Sequence, residues 1–471
     1  MNPEAAPSPT RSLIIYASNR CNLRCAFCLE DGRRAETMLS LDDLRARLAD
    51  VDPKEVRNVM FMGSETVLRA DASDVIGLLA ELGFEQIGIA TNGTALTRVE
   101  RVRELVALGL RYIELSVHTL VPERSLLVSG RAFTYKKQRE CLAVLEEIVA
   151  ERLLSVTINA VMCTINVDDF HALVLEIERD FPRLAPRYQI KATMPTEAAV
   201  ASSVVPSWDA VRRSRVVEGI PPALHPRVSF IDFPLCVLHP HHHLSGNLTS
   251  LVVGDTYTHL DAEPYAASHA LASRARAFGP ACDGCGVKLL CCGLDPKNLE
   301  LGHDSACRPI DDDAASLLRR VIAWRREHGQ PVSDELAADV DGAVRRLPVP
   351  SPPPPAEPPD PTRAFVEAYL AGNPRARTAL FEVTDVSRHP DTARMDLRLR
   401  SGADELAVFV EPHDTGGSFY RSTRYLGVSY YSPPATMSPA RVVRLMGAFA
   451  RALARREPAL SSEAVARLFR V

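Results

Sequence analysis

Leu13-Ile14-Ile15-Tyr16-Ala17-Ser18-Asn19-Arg20-Cys21-Asn22-Leu23-Arg24-Cys25-Ala26-Phe27-Cys28 runs from an apolar, β-branched stretch straight into a loop with three thiols in eight residues. A short run of this kind bounded by polar residues reads as a buried strand, so the thiols fall at its C-terminal end. Three close thiolates can hold three irons of a cubic four-iron cluster and leave the fourth iron open. A structural zinc ion wants four protein ligands, and the next cysteine, Cys141, lies far along the chain on a predicted helix. Such dense spacing on a loop also suits core packing poorly.

Working outward, further strands are expected at Asn58 to Met62, Gln86 to Thr91, Tyr112 to Val117, Ser155 to Met162 and Tyr188 to Ala192. Helix-period segments fall between them at Ser40 to Leu48, Asp74 to Leu82, Arg98 to Leu108, Lys137 to Ala150 and Val167 to Arg179. This alternation predicts an α/β fold, a parallel sheet with right-handed crossovers forming a partial (β/α)6 TIM-like barrel. Ligands in such folds bind at the C-terminal strand ends.

The 471 residues divide into a tail over 1–11, the barrel over 12–205, a cysteine-rich region over 206–312 and a helical extension over 313–347. Nine prolines across 348–361 then read as a stiff linker without a packing face. Residues 362–471 form an α+β accessory domain with strand-like runs at Leu380 to Ser387, Arg394 to Arg400 and Glu405 to Val410, then a helix from Ser438. That domain has sixteen arginines, no lysine and eleven acids, in a chain whose overall charge is -4. Its charge suits recruitment of an acidic substrate segment, and equally an arginine-rich solvated or dimerising surface. The overall balance disfavours a nucleic acid held by its phosphates. No apolar stretch reaches the roughly 20 residues of a membrane helix. Met1 to Thr10 lacks the apolar core of a secretory signal, so a cytoplasmic location with reduced thiols is expected.

The loop of Cys21, Cys25 and Cys28 resembles the C-x3-C-x2-C signature of the radical S-adenosylmethionine (SAM) enzymes, including the aromatic residue before the last cysteine. Gly63-Ser64-Glu65 after the second strand resembles that family's Gly-Gly-Glu, with serine in place of glycine, and Thr91-Asn92-Gly93 closes the third strand as in many members. The resemblance spans about Leu13 to Thr193. It implies a catalytic 4Fe-4S cluster on the three cysteines and SAM chelating the open iron. Reductive cleavage would give methionine and a 5'-deoxyadenosyl radical that abstracts a substrate hydrogen. It further implies that the Phe27 backbone contacts adenine, that the backbone from Met62 through Gly63 to Ser64 meets the methionine ammonium, and that Glu65, Thr91, Asn92, Ser116, His118 and Asn159 border the cofactor. Each polar side chain among these can instead satisfy neighbouring backbone, and His118 can be a structural hydrogen-bonding group.

Cys282-x2-Cys285-x5-Cys291, followed by Cys292, has Cys236 upstream and Cys307 downstream. It resembles the SPASM or shorter twitch tails of radical SAM enzymes that modify peptides. Leu251 and Asp295 stand where two further cysteines would complete the full SPASM pattern, so one auxiliary 4Fe-4S cluster is expected. The segment Phe233-Pro234-Leu235-Cys236 favours Cys236 as fourth ligand, the SPASM scheme favours Cys307, and Cys292 is an alternate ligand or a packed thiol. Structural zinc on the same thiolates is the competing reading. Cys141 and Cys163 read as core, and His239, His241, His242 and His243 as a solvated turn.

The function expected is a radical SAM enzyme acting on a peptide or protein side chain, supplied by a flavodoxin- or ferredoxin-type electron donor. A radical SAM enzyme of a small metabolite or tRNA nucleoside, and a catalytically silent iron-sulfur or redox-sensing protein, are the alternatives.

Overall fold

In the computed structural model the described residues are 11–18, 20–29, 38–56, 58–196, 199–200, 202–254, 256–260, 277–347, 382–388, 395–401, 404–412, 420–421, 426–430 and 445. They belong to two compact units. One comprises Met1–Cys25, Glu36–Pro195 and Val205–Pro353; the other comprises Ala26–Ala35, Thr196–Val204 and Pro354–Val471. The expected N-terminal tail, the proline linker and nearly all of the C-terminal helix lie outside the described residues.

The first unit is built on an open sheet of eight parallel strands in the order β7-β6-β5-β4-β3-β2-β1-β8. These are β1 (Arg11–Ile15), β2 (Asn58–Phe61), β3 (Gln86–Thr91), β4 (Leu110–Ser116), β5 (Ser155–Met162), β6 (Arg187–Ala192), β7 (Val228–Ile231) and β8 (Thr256–Leu260). The six expected strands are present and neighbour one another in chain order. Two more come from the region expected to lack regular structure: β7 extends the sheet beyond β6, and β8 pairs in parallel with β1, Leu13 opposite Thr258.

Helices α1 (Leu41–Leu48), α2 (Ala72–Glu81), α3 (Val99–Ala107), α4 (Pro122–Ser129), α5 (Thr134–Val149) and α6 (Phe170–Asp180) supply the connections. Ser40 starts α1 through a capping box with Asp43, which satisfies two orphan donors at once. In α3 the spacing of Val102, Leu105 and Val106 puts one apolar stripe into the core. That stripe belongs to the same buried core as the strand residues Ile87, Ile89, Ile113, Leu115 and Ile158. Cys141 and Cys163 are likewise fully buried, as expected. No helix among the described residues is long and apolar enough to cross a membrane.

The second unit holds a five-stranded antiparallel sheet in the order β12-β13-β11-β10-β9. Its strands are β9 (Glu382–Arg388), β10 (Met395–Ser401), β11 (Asp404–Pro412), β12 (Tyr420–Arg421) and β13 (Leu426–Tyr430). Leu397, Leu399, Leu406 and Val408 are buried, while Arg400 is exposed beside Glu405 at 2.8 Å, the two-residue alternation of a half-buried sheet. The unit also gathers two short segments that the sequence assigns to the barrel.

Gly93, just after β3, shows how tightly the strand ends are packed. Its φ of +77° lies in the left-handed region, and a Cβ there would stand 2.5 Å from Leu115 Cδ1 and 3.0 Å from Cys141 Sγ. Gly93→Ala is expected to lower stability by about 2–4 kcal/mol, read as a reduced urea midpoint. A midpoint equal to wild type would show that this turn relaxes freely.

Candidate functional site

The register of the sheet brings three loops to one end. Ile15 lies opposite Phe61 and Phe61 opposite Ile89, so the segments after β1, β2 and β3 emerge side by side. Glu65, only 1% exposed, occupies their junction. Thr91 Oγ1 donates to Glu65 Oε1 and the Asn92 N–H donates to Glu65 Oε2, both at 2.6 Å, while the Glu65 N–H donates to the Arg20 carbonyl at 2.9 Å. Burial raises the Glu65 pKa to about 7, against the hydrogen bonds from Thr91, Asn92 and Val67 that favour its ionised form.

With its backbone held, Asn92 points its side chain at the cysteine loop. Its Nδ2 donates to Asn22 Oδ1 at 2.9 Å and lies 3.7 Å from Cys21 Sγ, and its Oδ1 accepts from the Thr94 N–H and hydroxyl. The Leu23 N–H also reaches Cys21 Sγ at 3.4 Å. Cys21 as a residue is exposed, but its sulfur lies beneath these groups. Burial therefore raises its pKa first, opposed by the Leu23 N–H, with the Glu65 charge adding to the rise. Cys25 is half-buried in the same unit; Cys28, half-buried, and Phe27, buried, belong to the second unit.

Other contacts fix the platform. Gly63 has φ +96°, and a Cβ there would meet Tyr16 Cδ1 at 3.0 Å. Met62 continues the sheet by donating its N–H to the Ile15 carbonyl at 3.0 Å. Gln138 of α5 donates to the carbonyls of Asn92 and Ser116, tying the ends of β3 and β4 together. The buried Arg69 guanidinium donates to the carbonyls of Ala17 and Leu39 and to the Asp71 carboxylate. Neither Gln138 nor Arg69 carries a sequence signal; each is an ordinary helix or loop residue until the fold places it. His118 Nδ1 accepts the Val161 N–H at 3.1 Å, and burial lowers its pKa to about 4, with the Lys191 charge a smaller cause. Ser64 Oγ, shortly after β2, and Asn159 Oδ1, within β5 opposite Ser116, are buried with no partner among the described residues.

A thiol loop on the first strand, a glycine turn after the second and a buried acid linking the second and third form one arrangement over this part of the chain. Residues 15–177 match the family model described as the Radical SAM superfamily.

These residues form a radical SAM domain.

A radical SAM domain takes a 4Fe-4S cluster and SAM as its cofactors, and the match covers about a third of the chain. Similar curated proteins include the GTP 3',8-cyclase of Aeromonas hydrophila, 32% identical over 159 residues, which covers 32% of this chain and 45% of that protein. The GTP 3',8-cyclase of Aquifex aeolicus is 28% identical over 182 residues, 37% of this chain and 54% of that protein. The chain thus spans about half the length of the curated relatives it matches. Among solved structures, Streptococcus suis SuiB bound to S-adenosylmethionine is 19% identical, with a TM-score of 0.35 over 45% of this chain and 47% of that one.

Beyond the radical SAM domain, the fold gathers the second set of cysteines. Cys236 and Cys282 each share a hydrogen bond with Cys307, which is buried. The bond from Cys307 draws the Cys236 thiol down to about 6, with the Arg308 backbone and the Arg212 charge as smaller aids. Cys291 Sγ accepts the N–H groups of Leu235 and Gly293 at 3.4 Å and lies beside Cys292. Cys236 and Cys307, read from the sequence as competing fourth ligands, thus hydrogen-bond to each other, and Cys307 also to Cys282. Asp295 caps the short helix Pro296–Glu300, its carboxylate accepting the Lys297 N–H at 2.9 Å.

The histidine run departs from its expected solvated state. His242 is 4% exposed, and His241 and His243 are half-buried against His225, which is itself buried. Only His239 of the run is exposed. The segment turns inward because β7, unseen in the sequence, carries it onto the edge of the core.

Glu65 makes folding pH-dependent. Its folded pKa, about 7, lies above its ordinary 4.5, so the folded protein holds that proton more tightly. The associated stability is present below about pH 4.5 and lost as pH rises through about 7, an effect of about 3 kcal/mol. Glu65→Gln should flatten the fall between those pH values when cluster-free protein is unfolded in urea. An unchanged slope would mean that Glu65 is ionised at its ordinary pKa.

Proposed function

We propose that Cys21, Cys25 and Cys28 bind the catalytic cluster and that the chain cleaves SAM to modify a peptide or protein side chain. The observation that supports the first part is the relay from buried Glu65 through Asn92 to Cys21, which orients an amide toward the sulfur that must act as a ligand. The donor set fits: three thiols within eight residues, a glycine turn after β2, and two buried polar atoms without a partner among the described residues, Ser64 Oγ and Asn159 Oδ1.

When bound, the cluster and SAM supply an electron and a cleavable sulfonium, giving methionine and a carbon radical able to take hydrogen from a substrate. The protein's part is positional. Asn92 and Leu23 donate toward Cys21 and stabilise its thiolate. Glu65 holds Asn92 in place and needs no contact with the cofactor itself. Ser64 Oγ offers an acceptor near the turn proposed for the methionine ammonium, and its hydroxyl leaves the turn's backbone carbonyls available. Asn159 offers a second acceptor within β5, opposite Ser116 at the end of β4. His118, neutral near pH 7, accepts a backbone N–H at Nδ1 and so carries its one ring proton on Nε2.

Support for a peptide or protein substrate comes from the second thiol group, with Cys282, Cys285 and Cys291 and, as fourth ligand, Cys236 or Cys307 proposed to hold one auxiliary 4Fe-4S cluster. The hydrogen bonds that join Cys236 and Cys282 to Cys307 hold these three sulfurs side by side. An arginine-rich C-terminal sheet that attracts an acidic segment of the substrate belongs to the same reading. A second reading, a small nucleotide substrate, is favoured by the GTP 3',8-cyclase relatives, whose likeness covers only 32–37% of this chain.

Two measurements test these readings. Reduced anaerobically with dithionite, the reconstituted protein is expected to form 5'-deoxyadenosine and methionine. Replacing Cys21, Cys25 and Cys28 together by alanine should abolish that and remove about four irons per chain, leaving about four at the second site. Turnover surviving the replacement contradicts the assignment, and zinc without sulfide at the second site makes that site structural. For the substrate, a mass change in a co-expressed candidate peptide supports the first reading, whereas conversion of GTP to a cyclised product supports the second.

A further inference from the structure

Away from the strand ends, the first unit brings together three histidines that are far apart in sequence. His225 lies in the 3-10 turn Pro222–Arg227 before β7, and His241 and His243 follow that strand. One nitrogen from each ring falls within 4.8 Å of the others. We propose that His225, His241 and His243 form a site for a divalent first-row transition ion, zinc foremost, with a fourth position left to water.

Three features of the geometry carry this. First, His243 Nε2 and His225 Nδ1 are 3.3 Å apart. Zinc-nitrogen bonds near 2.05 Å at a tetrahedral angle require adjacent nitrogens to stand roughly 3.3 Å apart, so this pair already spans one edge of the coordination polyhedron.

Second, His225 Nε2 lies 3.2 Å from the Ile220 carbonyl. A carbonyl can only accept, so that nitrogen carries the proton and Nδ1 presents its lone pair toward the other rings. This is how ligating histidines are fixed: one ring nitrogen donates to a backbone carbonyl and the other binds metal. His243, which donates to that lone pair in the absence of an ion, would ligate through the same Nε2 after its proton moves to Nδ1.

Third, the rings are held in place. His243 stacks on Trp324 with centroids 4.3 Å apart, and Trp324 stacks on His328 at 4.2 Å. His328 in turn is held through Nδ1 by the Trp324 carbonyl at 2.8 Å. His241 and His243 flank His242, whose ring turns away and packs near His239, 5.1 Å between centroids. The alternation at i and i+2 therefore points two rings of the run at His225 and leaves the third in the core.

The donor set decides the class of ion. Three imidazoles and no carboxylate suit zinc, copper, nickel or cobalt, and do not suit calcium or magnesium, which need oxygen ligands. An ion here would tie the segment before β7 to the segment after it, and both to the helix Ala314–Glu327 that bears Trp324. The inference is independent of the proposed substrate and uses none of the cysteines.

Cobalt(II) distinguishes this site from the thiols nearby. Full-length protein with its clusters loaded, titrated anaerobically with CoCl2, is expected to saturate near one equivalent. The difference spectrum should show ligand-field bands without the intense thiolate-to-cobalt charge transfer of a cysteine site. His243→Ala and His241→Gln should each weaken binding at least tenfold, His239→Ala should leave it unchanged, and zinc should raise the melting temperature of wild type and His239→Ala alone. Equal binding by all four proteins, a thiolate-type spectrum, or no binding at millimolar cobalt would overturn the proposal. Circular dichroism of each metal-free variant identifies any that fails to fold; the His241→Gln and His239→Ala pair then decides.

Discussion

A buried carboxylate between two parallel strands organises the functional end of this barrel. Glu65 is removed from water, which disfavours its charge, yet it accepts from two successive residues of the neighbouring strand end, Thr91 and Asn92. Only a carboxylate presents two acceptor oxygens at that spacing without also presenting a donor to the Asn92 N–H. The opposition between desolvation and hydrogen bonding leaves its pKa near neutrality, and the geometry it enforces reaches Cys21 through the Asn92 amide. Loops after three strands thereby become one surface, although each alone is an unremarkable turn.

Much of this surface was legible in the sequence because strand, loop and helix recur with regular spacing and the chemistry-bearing residues fall at strand ends. The thiol triplet, the turn at Gly63 and the Thr91-Asn92-Gly93 segment stand where the alternation puts them. What escaped was short or long-range. β7 has four residues and follows a proline-rich turn, so it offers no periodicity, and β8 earns its place only by pairing with β1, far away in the chain. Gln138 and Arg69 are invisible for a related reason: their partners are backbone carbonyls on other elements, which leave no trace in residue identity. The histidine run was misread because its partner, His225, lies on the far side of the unseen β7.

The two thiol groups differ in how they are built. At the strand ends, the cysteines are consecutive in one loop and their surroundings come from several strands. In the later region Cys307 joins Cys236 to Cys282, and Cys236, Cys285 and Cys291 pack against a second apolar core that includes Leu235, Leu248, Val287, Leu290, Ile310 and Leu318.

The central claim is that three thiolates leave one iron open for SAM. The most direct measurement is low-temperature electron paramagnetic resonance of the reduced protein in which Cys282, Cys285 and Cys291 are alanine, so that the strand-end cluster alone contributes. Adding SAM should change the spectrum of that cluster, because a new ligand enters at its unique iron. A spectrum identical with and without saturating SAM would contradict the account.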